Sequence, residues 1–426
     1  MKLRRLDAGE VRRLERGPVD AATLAAAAEI VEAVRAEGEP AVRRYGVRFG
    51  EISSHGALVI GRPELERALA DLPPTERDLL KRAADRIGAF ARAQRDALTE
   101  IAIEIPGGRA GHRIAAVDRA GCYAPGGRYP LPSSVLMTAL TARIAGVESI
   151  VVASPKPSPA TLAAAAVAGA EAVLAVGGAH AIAALAHGVD RVDACDVVVG
   201  PGNRWVTAAK QLVSGSVGID MLAGPSELVV LADDSADPAT VAADLLAQAE
   251  HDPDALPVLV TTSARIVDEV DAELDRQLHD LPTREVAEVA LENGFSIVVG
   301  DLATAISVCD RLAPEHLQVM TSKADEVALR LDQWGGLFIG SDSAEVIGDY
   351  GAGPNHTLPT GGVARYRGGL SVFDFLRIHT WLEIDDCDAA LQTVEDSVAL
   401  ARLEGLEGHA RAAAMRLKKS PGSLER

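Results

Sequence analysis

The feature that most constrains this chain is an alternation of short apolar runs with helical stretches, which sets in near Ala115. Ser149-Ile150-Val151-Val152-Ala153, Ala172-Val173-Leu174-Ala175-Val176 and Asp196-Val197-Val198-Val199 are β-rich, and a helical stretch follows each. A strand that is apolar at successive positions needs cover on both faces, and helical crossovers between parallel strands supply it. A second series follows Gly224-Pro225-Ser226. Its strands are Leu228 to Ala232, Val258 to Thr261, Ser296 to Val299, Gln318 to Thr321 and Leu337 to Ile339. Two such series imply two α/β units, each built on a parallel sheet. Ahead of them, Ala21 to Ala36 and Thr75 to Leu98 have helical spacing, with Gly38 as a stop after the first. Beyond Gly361 the pattern is irregular, then helical from Ala389 to Lys418.

With 426 residues, 48% hydrophobic and 24% charged, the chain reads as a soluble globular protein of two or three domains. A net charge of −19 argues against nucleic acid or an anionic membrane as partner, since both attract basic surfaces. The one long apolar tract, Leu162 to Ala186, is interrupted by Glu171, His180 and three glycines. It is better explained as helix, strand and helix than as a membrane span. No apolar region follows the basic N-terminus, so no signal peptide is expected. Cys122, Cys195, Cys309 and Cys387 lie far apart and lack metal or redox spacing. Free buried thiols in a reducing, cytoplasmic setting are the expectation.

Three kinds of residue cluster could carry chemistry. Leu312-Ala313-Pro314-Glu315-His316-Leu317 sets a carboxylate and an imidazole side by side, on a turn between a helix and a strand. Both side-chain types move protons near neutral pH, although a Glu-His dipeptide is more often a solvated loop. Glycine-rich loops occur at Tyr123 to Gly127, Val176 to His180 and Gly200 to Asn203. The last two follow a strand and open a helix, where free N–H groups favour an anion such as a pyrophosphate. None completes the G-x-G-x-x-G fingerprint, and tight packing explains such glycines equally well. Metal-ligand candidates are Gln248 and His251, three apart at a helix end, Asp349 in a glycine-flanked loop, His356, and His409. Two imidazoles, a carboxylate and an amide oxygen suit zinc, but the spacing is nonstandard. Gln248 as a solvated helix residue and His409 as a surface histidine remain open. Glu404 and His409, five residues apart, would point about 140° from each other on one continuous helix. Gly405 and Gly408 make a break there plausible.

The ordered set of motifs resembles the histidinol dehydrogenase family along nearly the whole chain. It includes Gly121 to Gly127, Pro132 to Met137, Gly200-Pro201-Gly202-Asn203, Ala223 to Glu227 and Gln248-Ala249-Glu250-His251. Ala313 to Leu317, Gly348-Asp349-Tyr350 and Gly353 to Gly361 complete it. The resemblance implies two incomplete Rossmann-like parallel-sheet domains, a helical N-terminal region and a small C-terminal helical tail domain. The implied division is an arm over 1–16, a first α/β domain of 17–121 with 227–366 carrying the zinc and catalytic residues, an NAD-side α/β domain over 122–226, and a tail over 367–426 that reaches the partner subunit. The implied activity is the oxidation of L-histidinol through L-histidinal to L-histidine, the last step of histidine biosynthesis, by two NAD molecules used in turn. One zinc per subunit would be held by Gln248, His251, Asp349 and His409. The last ligand would come, with Glu404, from the partner in a homodimer with shared sites. Glu315 would activate water and His316 would serve the hydride steps. Ser226, Gln248, His251, His316, Asp349, His356, Glu404 and His409 would contact substrate, and Tyr123, His180 and Asn203 would hold NAD.

His180 departs from the family, which usually has a glutamine there, and an imidazole cannot mimic both ends of an amide. His112 also replaces a common glutamine and Ala116 a usual proline. The rival activities are a related zinc-dependent NAD dehydrogenase for another polar alcohol, such as a sulfopropanediol, and a zinc hydrolase using Glu315 as base. A metal-binding homologue without catalysis is the third.

Overall fold

The structure, a computed structural model, describes residues 2–11, 17, 19–126, 130–189 and 191–417. Gly127 of the first glycine loop, residues 12–16 of the expected arm, and Lys418 lie outside the described residues. The chain forms two compact units, Met1–Arg95 with Val117–Phe375 and Asp96–Ala116 with Leu376–Arg426.

The first unit holds two six-stranded sheets. One has the strand order Arg4–Leu6, Phe295–Val298, Leu256–Thr261, Glu227–Ala232, His316–Met320, Gly336–Ile339, and every neighbouring pair is parallel. Every residue of Glu227–Ala232 and Leu256–Thr261 is buried, as their unbroken apolar pattern requires. Leu228, Leu245 and Leu259 sit in the core on one face, and Val229, Ile297 and Val319 on the other. Each such side chain contributes roughly 1.5–3 kcal/mol on burial. In the other sheet the order is Val59–Gly61, Ala172–Leu174, Ser149–Ala153, Arg119–Tyr123, Val197–Val199, Gly218–Ile219. Its pairs are parallel except at the Val59–Gly61 edge. The apolar tract resolves as helix Pro159–Ala168, strand Ala172–Leu174 and helix Gly178–His187. No helix among the described residues is long and apolar enough to cross a membrane.

Helix Ala21–Glu37 buries Ala27, Val31 and Val34 in the same core as Val176, Ile182 and Leu185, so it covers the 119–219 sheet. Strand Val59–Gly61 extends that sheet, whereas Arg4–Leu6 edges the other. Helical periodicity gives the apolar face of a helix but not the sheet that receives it.

In the second unit, strand Gly108–Ala116 is flanked antiparallel by Ile101–Ile105 and Leu376–Ile384, and helices Leu391–Leu403 and Glu407–Leu417 follow. This sheet was passed over in the sequence: Ile101–Ile105 and Leu376–Ile384 carry apolar residues, but on largely exposed strands outside the two series of doubly covered runs. Gly108 is required there: a Cβ would sit 1.9 Å from the Glu383 carbonyl oxygen. Gly405, at φ 77°, breaks the C-terminal helix as its position suggested. The four cysteines are free, but Cys387 is exposed rather than buried.

Candidate active site

Helix Leu302–Leu312 ends on Ala313, which adopts a left-handed φ of 45°, and Pro314 then directs the chain into strand His316–Met320. Glu315 and His316 are thereby both buried at the amino end of strand His316–Met320, beside the amino end of Glu227–Ala232. Glu315 Oε2 accepts a hydrogen bond of 2.9 Å from the Glu227 N–H, and the Ser226 side chain also bonds to this carboxyl. Its own carbonyl accepts from the Gly336 N–H at 2.7 Å. The pair is fixed between two neighbouring strands and is not a solvated loop.

His316 Nδ1 lies 3.0 Å from the Glu227 carbonyl oxygen. A carbonyl only accepts, so Nδ1 carries the proton and Nε2 the lone pair. Nε2 is buried, has no hydrogen-bond partner among the described residues, and stands 3.9 Å from Asp349 Oδ1. Burial lowers the His316 pKa to about 3, aided by the neighbouring charges of His251 and His356, so the ring is neutral. Burial has the opposite effect on the acids. It pushes Glu315 well above its usual range and raises Asp349 to about 6, partly offset by His251.

Asp349 closes a one-turn helix, Glu345–Asp349, rather than lying in a loop. Gly348 does not end that helix. It lets the turn pack on the Phe338 ring, where a Cβ would lie 2.8 Å away. Residues four apart share a helix face, so Glu345 and Asp349 both meet His316. Glu345 Oε1 is 3.6 Å from His316 Nδ1, and ligand-type atoms of His316, Glu345 and Asp349 all lie within 4.8 Å of one another. The i, i+4 spacing to Asp349 was the available signal for Glu345, which sequence reasoning passed over. Burial, then the charges of Asp349 and Glu315, raise the Glu345 pKa well above its usual range.

His356 Nδ1 lies 3.0 Å from the Asp349 carbonyl oxygen, and its Nε2 lies 3.3 Å from the Ser134 hydroxyl. Gln248 is completely buried in the last turn of helix Pro238–Ala249, and neither amide atom has a partner among the described residues. His251 occupies the exposed turn just beyond. Glu404 and His409 lie on the second unit, where both are exposed.

The three residues expected to hold a dinucleotide cluster around the second sheet. The Tyr123 hydroxyl accepts from the Gly178 N–H at 3.3 Å. His180, 1% exposed, has Nε2 2.9 Å from Glu51 Oε2. That same oxygen accepts from the Gly177 N–H at 3.2 Å. Asn203 caps helix Arg204–Val213, accepting from Trp205 and Val206 N–H groups. A Cβ on Gly177 would come within 2.7 Å of the Pro155 ring, so this glycine serves close packing.

The sequence profile of the family described as Histidinol dehydrogenase matches residues 15–417. The chain belongs to the histidinol dehydrogenase family. The histidinol dehydrogenase of Thermus thermophilus is 45% identical over 388 residues, covering 91% of this chain and 93% of that protein. That of Aromatoleum aromaticum is 41% identical over 430 residues, covering 97% and 98%. The crystal structure of histidinol dehydrogenase from Elizabethkingia anophelis superposes with a TM-score of 0.89 at 31% identity, covering 96% of this chain and 95% of that one. This histidinol dehydrogenase family member is therefore an oxidoreductase with the mixed α/β fold of its relatives.

The residues present fit a zinc ion. Gln248 has two orphaned amide atoms in a fully buried position, and His316 Nε2 is another buried atom without a partner. An amide oxygen, an imidazole and a carboxylate from Gln248, His251 and Asp349 are acceptable zinc donors. The tight His316, Glu345 and Asp349 cluster shares only Asp349 with that set. Glu51 and Tyr123 already occupy the first N–H groups of helix Gly178–His187.

Proposed function

We propose that this enzyme oxidises L-histidinol through L-histidinal to L-histidine, taking two hydrides per substrate. The observation that carries the mechanism is the orientation of Glu315 and His316. One is a carboxyl raised by burial, and the other a neutral imidazole with its lone pair on an otherwise unpartnered Nε2. When bound, NAD accepts each hydride on its nicotinamide ring. Gln248, His251 and Asp349, with His409 of the partner subunit, would hold a zinc ion, which would supply a Lewis-acid anchor for the substrate's imidazole and amine.

In the first step His316 Nε2 takes the hydroxyl proton as the C–H hydride leaves, giving the aldehyde. Glu315 then removes a proton from water as its oxygen adds to the aldehyde carbon. His316 returns its first proton to the aldehyde oxygen as the water adds, then takes a hydroxyl proton of the hydrate as the second hydride departs, and the carboxylic acid so formed releases its proton to solvent. The Glu227 carbonyl keeps Nδ1 protonated throughout, so Nε2 is always the working nitrogen. Ser226, which bonds the Glu315 carboxyl, and His356, beside Asp349, would contact the substrate, and Glu404 of the partner subunit would face its amine. Tyr123, His180 and Asn203 bound the NAD side. We assign zinc and catalysis to the sheet of 227–339, cofactor binding to 122–226, and subunit exchange to the 367–426 tail of a cytoplasmic homodimer.

The test is NADH production from L-histidinol, with and without a chelator, at two enzyme concentrations. Two NADH per substrate, loss with chelator and loss on dilution are expected. Absence of NADH would refute the assignment, and activity confined to another alcohol would transfer it to a related dehydrogenase.

A further inference from the structure

The pair His180 and Glu51 is not needed for the chemistry at Glu315 and His316, yet it is built with care. Glu51 Oε2 takes both the His180 ring at 2.9 Å and the Gly177 N–H at 3.2 Å, which fixes the carboxylate in one place. The His180 ring is itself wedged 6.0 Å from Tyr45 and 5.6 Å from Phe49, measured between centroids. The corner is not sealed. Phe49 is 50% exposed, and the Glu51 side chain retains 13% of its exposure. His180 Nδ1 is buried without a partner and faces Gly178, whose Cβ position would be 3.8 Å from it.

The chemistry of this corner selects among ligands. An anion arriving at the start of helix Gly178–His187 meets a carboxylate and a phenol where it would need free N–H donors. A vicinal diol meets an acceptor already oriented by two donors. We propose that Glu51 is the cofactor-specificity residue: its carboxylate binds the ribose hydroxyls of NAD and rejects a dinucleotide bearing a ribose phosphate, while His180 is the positioning residue that holds it. This rests on the reading that Tyr123, His180 and Asn203 bound the dinucleotide side. One cation opposes the selection: Arg48 lies 5.8 Å from the Phe49 ring centre, whereas Arg44 is occupied by Glu37.

Titration calorimetry of the full-length zinc-loaded protein with NAD+ and with NADP+ tests this without relying on turnover. The wild type should prefer NAD+, and Glu51→Gln, which keeps an acceptor for Gly177, should shrink that preference by about 10- to 100-fold, the worth of a hydrogen bond to a charged group. His180→Ala should shrink it too, and His180→Gln should restore it, because the amide still donates to Glu51. Melting curves matched to the wild type show that the variants fold. An unchanged NAD+ to NADP+ ratio in Glu51→Gln overturns the proposal while leaving the functional assignment intact. Equal binding of both by the wild type also overturns it, and makes Arg48 the dominant charge. If neither dinucleotide binds, the functional assignment fails with it.

Discussion

Asp244 offers a measurement of what the buried acids behind the site cost the fold. It lies one turn before Gln248 on helix Pro238–Ala249 and is 7% exposed. Burial raises its pKa from 3.8 to about 6, with Gln318 offsetting part of the effect. Its charge also helps to keep the nearby Glu345 protonated. A folded-state pKa above the unfolded value means that the native protein binds this proton more tightly. Stability from this group is therefore complete below about pH 4 and falls as pH rises toward about 6. Two pKa units at about 1.4 kcal/mol each give a loss on the order of 3 kcal/mol, constant at higher pH.

Replacing Asp244 by Asn removes the ionisation and keeps the shape. Urea unfolding of wild type and Asp244→Asn at pH 4 and pH 7.5 reads the difference. The variant should match the wild type at the lower pH and exceed it by about 1–3 kcal/mol at the higher, the lower end reflecting water that reaches a partly open carboxyl. Repeating the measurement with chelator present separates this from zinc affinity. An equal gain at both pH values would refute the reasoning, because packing and not charge would then be responsible. A loss at pH 7.5 would refute it more strongly, showing that the ionised carboxylate has a favourable partner.

Two further substitutions address the base and the loop. Glu315→Gln preserves an acceptor for the Glu227 N–H but removes the base for water. Histidinal oxidation should drop about 10²- to 10⁴-fold while the first hydride step from histidinol persists, and equal loss of both in stopped-flow NADH traces would remove Glu315 from its separate role. In the wild type, the raised Glu315 pKa predicts aldehyde oxidation that rises with pH as the carboxylate forms. Lys210→Met should destabilise the fold by about 3–5 kcal/mol in denaturant titration. Lys210 is buried, donates to the Gly200 carbonyl at 3.0 Å and pairs with the buried Asp220, which accepts from Gly200 and Met221 N–H groups. A cost below about 1 kcal/mol would mean that the two N–H donors alone satisfy Asp220.

What could be read from the residues followed from periodicity and backbone restriction. Runs apolar at every position demanded doubly covered parallel strands, and both sheets of the first unit are parallel through their centres, with an antiparallel edge only at Val59–Gly61. Pro314 placed Glu315 and His316 at a helix-to-strand turn, and Gly405 broke the last helix. The antiparallel sheet of Ile101–Ile105, Gly108–Ala116 and Leu376–Ile384 was passed over, because its apolar residues lie on largely exposed strands far apart in sequence, outside the βα alternation that marked the other two sheets. Glu345 was missed for a different reason. A glutamate in sequence looks solvated, and only the pairing of the His316 and Gly336 strands, with the one-turn helix after them, brings it inside.

The cofactor side shows most clearly why a motif and a site are different things. Gly177 and Gly178 precede a helix and look like a phosphate cradle, yet the N–H groups of both are taken by the protein's own Glu51 and Tyr123. Glu51 stands 126 residues from Gly177 in sequence, so no local pattern could have revealed the occupant. His180 stands where a glutamine was expected to contact NAD, and its Nε2 instead faces Glu51. An amide at that position could donate to Glu51 and still offer an oxygen to a ligand. The imidazole uses one nitrogen on the carboxylate and leaves Nδ1 with nothing to bond. The substitution thus shifts dinucleotide recognition from residue 180 itself to the carboxylate it holds, and this is why the Glu51 and His180 variants, compared on two dinucleotides, distinguish a direct contact from an indirect one.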